Sequence, residues 1–84
     1  MKLVIYGRPG CSYCTRAKQL AEHLSQQRTD FSYSYIDIYE QNLTKDDLSQ
    51  LVGKQVTTVP QIFLDEQHIG GCTDFEAYAK QHLN

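Results

Sequence analysis

Two cysteines with two residues between them stand where an apolar run gives way to an amphipathic segment. Residues 3–6 are all apolar and indicate a buried strand, and residues 7–10 form a loop because they contain two glycines and a proline. Beyond Cys14, apolar residues recur with the spacing of one helix face: Ala17, Leu20, Ala21 and Leu24. The sequence therefore predicts that Cys11 and Cys14 lie where a strand, buried on both faces, leads into a helix.

The middle of the chain predicts a second strand and a short helix. Residues 31–38 are rich in aromatic and β-branched side chains, and we expect a strand that is half-exposed at its start and central in the sheet at its end. Thr44 is a good N-cap, with Asp47 at the third helical position, and Gly53 ends the short helix that follows.

The last third of the chain predicts a hairpin and a final helix. Residues 61–64 and 67–69 are short strands around Asp65 and Glu66. Residues 73–76 have the pattern of a capping box that opens the helix. The predicted order is β-α-β-α-β-β-α, in one domain over residues 1–84. The fold class is α/β, a four-stranded mixed sheet with three helices on its faces.

Charge and cysteine usage exclude several classes of protein. The net charge is −2 with no basic stripe, so we expect no nucleic-acid binding. No apolar stretch approaches the ~20 residues of a membrane span, and no secretion signal precedes the first loop. Three cysteines, an odd number with two of them too close together to join distant segments, do not suit a secreted disulfide scaffold. We expect a cytoplasmic protein whose close cysteines are redox-active or metal-bound.

A cysteine at a helix start has a particular chemistry. The free N–H groups and the helix dipole favour a thiolate there, and the thiolate is the nucleophile. We expect Cys11 to lie at the cap facing solvent, and Cys14 to lie one turn in, shielded and close enough to attack it. Zinc is the alternative, but Cys72 and His68 would have to complete the four ligands, and that spacing matches no compact zinc module.

Three motifs resemble those of the glutaredoxin family of the thioredoxin fold. They are residues 7–14 (GRPGCSYC), residues 57–63 (TTVPQIF) and residues 70–74 (GGCTD), and they occur in the family's order and at its distances. The resemblance spans essentially the whole chain and is greatest to the small bacterial dithiol glutaredoxins that reduce ribonucleotide reductase. Thioredoxins differ, because they usually carry tryptophan before the first cysteine, and this chain has none.

The resemblance implies a role for each motif position. Cys11 matches the nucleophile and Cys14 the resolving thiol, while Pro60 matches the family's cis-proline. The remaining matched positions imply a glutathione groove: Arg8, Tyr13, Thr58, Val59, Cys72, Thr73 and Asp74.

The resemblance also implies a function. We expect a monomeric, glutathione-dependent oxidoreductase that reduces glutathionylated proteins and protein disulfides, including that of ribonucleotide reductase. Glutathione serves as the electron-donating co-substrate, with no tightly bound cofactor or metal. Ser12 departs from the family's usual proline. The alternative it leaves open is a dimer that binds a [2Fe–2S] cluster through Cys11 and glutathione.

Overall fold

The computed structural model describes residues 1–83, and it confirms the predicted fold class. Four strands form one mixed sheet in the order β2-β1-β3-β4, with β1 and β2 parallel and the other neighbouring pairs antiparallel. The elements are β1 (Lys2–Gly7), α1 (Ser12–Gln27), β2 (Ser32–Asp37), α2 (Lys45–Val52), β3 (Gln61–Leu64), β4 (Gln67–Gly70), α3 (Cys72–Tyr78) and a π-helical turn (Ala79–Leu83).

The main core lies between the sheet and one pair of helices, α1 and α3. Leu3 and Ile5 of β1 are fully buried there. The prediction that β1 is buried on both faces was wrong, because Val4 and Tyr6 on the other face are only half-buried. That face carries a smaller cluster of three buried residues, Ile38, Leu48 and Val56, which covers only part of the sheet.

Strand β2 lies at the edge of the sheet along its whole length. The prediction that its end is central was therefore wrong. Tyr33 and Tyr35 pack against the main core and are half-buried, while Ser32 and Ser34 are exposed. Alternation of apolar and polar residues reports which face is buried, but it does not report how many strands lie on each side.

The start and end of α2 confirm their prediction. The Thr44 N–H donates to Asp47 Oδ2 at 2.8 Å, and the Asp47 N–H donates to Thr44 Oγ1 at 3.1 Å. This reciprocal pair satisfies two backbone donors that the helix itself cannot. Gly53 ends the helix with φ +88°, a left-handed conformation that favours glycine.

The hairpin between β3 and β4 turns at Asp65 and Glu66, as predicted, and both residues have positive φ. The Asp65 side chain accepts from the Lys2 N–H at 2.9 Å, and the Asp65 N–H donates to the Lys2 carbonyl at 2.9 Å. These bonds to β1 hold the turn in a conformation that non-glycine residues rarely adopt.

Helix α3 begins two residues earlier than the sequence indicates. Its N-cap is Gly71, whose N–H donates to Asp74 Oδ2 at 3.0 Å. The predicted capping box over residues 73–76 was therefore wrong, and Glu76 bonds to Arg16 of α1 instead. Gly70, at φ +131°, turns the chain from β4 directly into the helix, and any side chain there would collide with the Asp74 carboxylate.

Candidate active site

Cys11 is the N-cap of α1, a position usually taken by serine, threonine or aspartate. Its backbone is extended, and its sulfur accepts from the Cys14 N–H at 3.2 Å. Its carbonyl accepts from the N–H and from the hydroxyl of Thr15, each at 3.1 Å. The sulfur thus sits against a free N–H at the positive end of the helix, an arrangement that stabilises negative charge on it.

The two active-site sulfurs are bonded to each other, with their Cα atoms 5.2 Å apart. That separation is ordinary for a disulfide. Cys14 is completely buried, while Cys11 is 8% exposed. The expectation that Cys11 faces solvent was too strong, because the residue is nearly buried and the loop at Val59 lies against its sulfur. Of the two residues, Cys11 is still the one with some exposed surface.

The loop that covers Cys11 carries Thr58, Val59 and Pro60, and the Val59–Pro60 peptide bond is cis. The Val59 carbonyl oxygen lies 3.7 Å from the Cys11 sulfur. Thr58 is exposed, Val59 is half-buried and Pro60 is buried. The loop therefore offers Thr58 and part of Val59 to a ligand beside the sulfur.

A groove runs past this loop and gathers residues from distant parts of the chain. Its lining includes Arg8, Thr58 and Val59, three of the positions identified from the family motifs. It also includes Tyr39 and Lys45, which sequence reasoning missed. Tyr39 is 61% exposed, which is unusual for a large aromatic side chain. Neither residue belongs to a motif, and only the folding of the β2–α2 connection brings them to the groove.

Tyr13 lies on the surface of α1, and a chain of contacts links it to α3. The Tyr13 ring is 54% exposed, and the Arg16 guanidinium lies 5.6 Å from its centre. Arg16 in turn donates to both carboxylate oxygens of Glu76, at 3.0 and 2.8 Å. The helices α1 and α3, which begin within two of the three family motifs, are thus joined at their exposed surface.

The family motifs identified three residues at the start of α3, and two of them are exposed on the surface. Thr73 and Asp74 are exposed, whereas Cys72 is only 3% exposed and packs in the main core. The structure thus places the Cys72 side chain inside the protein and not on the groove surface. Its thiol is free, and burial raises its pKa, with the Glu76 carboxylate adding to the effect and Arg16 opposing it.

The zinc alternative required His68 and Cys72 to join the active-site cysteines. The His68 ring instead bonds to the Gln61 side chain, with Nε2 lying 2.8 Å from Gln61 Oε1. Across residues 1–83, no three histidine, cysteine or acidic side chains converge as metal ligands would. His68 and Cys72 therefore do not join Cys11 and Cys14 in a four-ligand zinc site.

The Glutaredoxin family model matches residues 3–69 of the chain. The chain belongs to the glutaredoxin family. It is 66% identical to glutaredoxin 1 of Salmonella typhimurium over 84 residues, which is all of this chain and 97% of that protein. It is 60% identical to glutaredoxin 1 of Escherichia coli K12 over 84 residues, covering 99% of that protein.

Solved glutaredoxin structures have the same fold. The structure of reduced E. coli glutaredoxin matches with a TM-score of 0.91 at 60% identity, covering 99% of this chain and 98% of that one. A complex of buckwheat glutaredoxin with glutathione matches with a TM-score of 0.72 at 28% identity, covering 94% of this chain and 68% of that one. Family membership and the Cys11–Cys14 pair together make this glutaredoxin a thiol–disulfide oxidoreductase.

The helices of this glutaredoxin are short relative to a bilayer. None within residues 1–83 is long and apolar enough to cross a membrane.

Proposed function

We propose that this glutaredoxin reduces protein–glutathione disulfides, with glutathione as the electron donor. The Cys11 thiolate attacks the glutathione sulfur, the disulfide breaks, and the protein thiolate leaves and takes up a proton. A second glutathione thiolate then attacks the sulfur of the bound glutathione. Cys11 leaves as thiolate, and oxidised glutathione is released. The proposal rests on Cys11 at the start of α1, which is the more exposed cysteine of the pair and whose sulfur lies 3.7 Å from the carbonyl of the groove residue Val59.

The helix start serves the second step more than the first. An unperturbed thiol of pKa ~8.5 is only about 3% thiolate at pH 7, so a lower pKa increases the reactive fraction. The intrinsic nucleophilicity falls by a comparable factor, because it depends on basicity with a slope of ~0.4–0.5. The same stabilisation makes Cys11 a better leaving group. The N–H of Cys14 at 3.2 Å therefore promotes turnover of the glutathionylated enzyme.

Glutathione fits the groove by its charges. We assign its glycyl carboxylate to the neighbourhood of Arg8 and Thr58, and its cysteinyl backbone to Val59. We assign its γ-glutamyl end to Thr73 and Asp74 at the start of α3, outside the lining of this groove, where helix N–H groups suit a carboxylate. Asp74 Oδ2 already accepts from Gly71, so we assign Oδ1 to the glutathione ammonium. The complex of buckwheat glutaredoxin with glutathione supports glutathione as the ligand of this family member.

Protein disulfides need the second cysteine. When Cys11 is joined to a substrate protein, Cys14 attacks Cys11, releases the substrate thiol and forms the pair seen in the structure. Cys14 is completely buried, so an attack on Cys11 from within is the role its position allows. We propose that the substrates include ribonucleotide reductase, and that the protein works as a monomer in the cytoplasm.

A coupled assay tests this function. Wild type and Cys11→Ser are compared for reduction of a glutathionylated peptide by glutathione, with the same peptide carrying cysteine in place of glutathione as control. We expect wild type to prefer the glutathionylated peptide and the variant to be inactive. Equal rates on both peptides would contradict glutathione specificity. A brown dimer after anaerobic purification would instead support the iron–sulfur alternative.

A further inference from the structure

Gln61 is a polar side chain in an apolar place. It is 6% exposed, and in the described part of the chain it is the one polar side chain that is buried. Both ends of its amide are occupied. Its Nε2 donates to the Thr58 carbonyl at 2.9 Å, and its Oε1 lies 2.8 Å from Nε2 of His68. A continuous hydrogen-bonded chain therefore runs from β4 through β3 to the loop beside Cys11.

The direction of each bond in this chain is set by chemistry. A carbonyl can only accept, so the Gln61 amide nitrogen must face Thr58 and its oxygen must face His68. His68 Nε2 must then carry a hydrogen. Burial lowers the pKa of His68, with Lys54 acting in the same direction and Asp74 opposing it. The ring also packs on Phe63, with centroids 5.1 Å apart, which limits its rotation.

The hydrogen bonds from His68 through Gln61 to Thr58 hold the loop that faces the active-site sulfur. Gln61 holds the Thr58 carbonyl toward the protein interior, one residue before the Val59 carbonyl that lies 3.7 Å from Cys11. With its carbonyl bound inside, Thr58 keeps its exposed side chain on the groove. A buried hydrogen-bond network in which every polar group has a partner can hold a loop rigidly even where the loop has no regular secondary structure.

We propose that Gln61 and His68 are positioning residues, which together hold Thr58 and Val59 in the geometry that binds the peptide part of glutathione. This inference rests on the proposed function. Neither side chain reacts, and neither is assigned to touch the substrate. His68 acts through Gln61, and Gln61 acts through the Thr58 carbonyl.

The experiment replaces His68 by Phe, which removes the donor and keeps an aromatic ring against Phe63. His23→Phe is the matched control, because His23 is exposed on α1 far along the chain from the loop. We expect His68→Phe to raise the KM for the glutathionylated peptide about fivefold with kcat within about twofold. The rate at which iodoacetamide alkylates Cys11 in the reduced protein should match that of wild type and of His23→Phe.

Rescue separates positioning from a general structural role. His68→Gln places an amide N–H near the former Nε2, so it should return the KM to within about twofold of wild type. If His68→Phe leaves the KM unchanged, or lowers alkylation and kcat together, the inference is wrong. It is also wrong if His68→Gln behaves like His68→Phe. If wild type itself does not prefer the glutathionylated peptide, the proposed function fails, and this inference fails with it.

Discussion

Two helices of this protein begin beside a cysteine, and the two cysteines differ in almost every physical respect. Cys11 is the N-cap of α1, and its sulfur accepts a helix N–H at 3.2 Å. Cys72 is the first residue of α3, whose N-cap Gly71 donates to Asp74, and its side chain packs in the main core. Proximity to a helix start is therefore insufficient to activate a thiol.

The difference arises because Cys11 is the N-cap residue of its helix, whereas Cys72 is the first residue inside its helix. At the cap position the side chain can turn back toward the free N–H groups, whereas the first helical residue points its side chain away from them. Cys11 gains a hydrogen-bond donor, and its sulfur lies 3.7 Å from the carbonyl of Val59, which lines the groove. Cys72 gains only burial, which raises its pKa and favours the neutral thiol. The predictions below test this contrast.

The largest expected effect is that of Cys11→Ser. It should reduce thiol–disulfide activity to below about 1% of wild type, because no other accessible sulfur stands at a helix cap. The measurement is the glutathione-coupled reduction of a glutathionylated peptide. Residual activity of several per cent that depends on Cys72 would mean that the two helix starts are chemically equivalent.

Cys14→Ser should separate two activities that wild type combines. Reduction of a protein disulfide should fall more than about tenfold, since a neighbouring thiol acts at an effective concentration far above that of free glutathione. Reduction of a glutathionylated peptide should persist or rise, because the unproductive internal disulfide no longer forms. Both substrates are assayed on one preparation at equal glutathione. A parallel fall in both activities would contradict the separate roles of Cys11 and Cys14.

Asp74→Asn tests the proposal that the start of α3 binds the γ-glutamyl end of glutathione. The amide oxygen can still accept from the Gly71 N–H, so the cap survives, while the charge facing the glutathione ammonium is lost. We expect the KM for the glutathionylated peptide to rise about tenfold with little change in thermal stability. Asp74→Ala and Thr73→Ala together should raise the KM at least as much and should also destabilise the helix start. An unchanged KM with a reduced kcat would contradict the assignment of the γ-glutamyl end of glutathione to Thr73 and Asp74.

Cys72→Ser should have a small effect on turnover, within about threefold of wild type, because the thiol takes no part in the exchange. Iodoacetamide at pH 7 should modify Cys11 in the reduced protein well before Cys72. Rapid labelling of Cys72, or a complete loss of activity on its replacement, would show that this thiol is accessible and takes part in the mechanism.

The smallest effect concerns stability at high pH. The folded-state pKa of Cys72 lies above its ordinary value, so this thiol contributes no pH dependence to stability at pH values well below that ordinary value. As the pH rises past it, the unfolded chain loses the proton first, and wild type should lose stability relative to Cys72→Ser. Urea unfolding of both proteins at pH 7 and pH 10 measures the difference. A constant difference at both pH values would contradict the shift.

Much of this protein follows from neighbours along the chain. The capping pair of Thr44 and Asp47 forms as predicted, because its two bonds join residues three apart. The same holds for the cysteine pair at the start of α1. The hairpin turn at Asp65 and Glu66 also lies where the sequence predicts it, although bonds to Lys2 of β1 hold its conformation. Hydrogen bonds this local depend mainly on the residues that make them. The capping box predicted over residues 73–76 is the exception, because α3 already begins at Cys72 with the bond from Gly71 to Asp74.

Other features depend on contacts between residues far apart, and these only the tertiary structure decided. Strand β2 is an edge because no strand pairs with its outer side, and Cys72 is buried because α3 packs on α1 and the sheet. Tyr39 reaches the groove through the packing of a long connection, and His68 meets Gln61 only because β3 and β4 pair. The sequence by itself determined the reactive cysteines and the order of the elements. Packing decided which side chains surround them, because burial is a property of the whole assembled core.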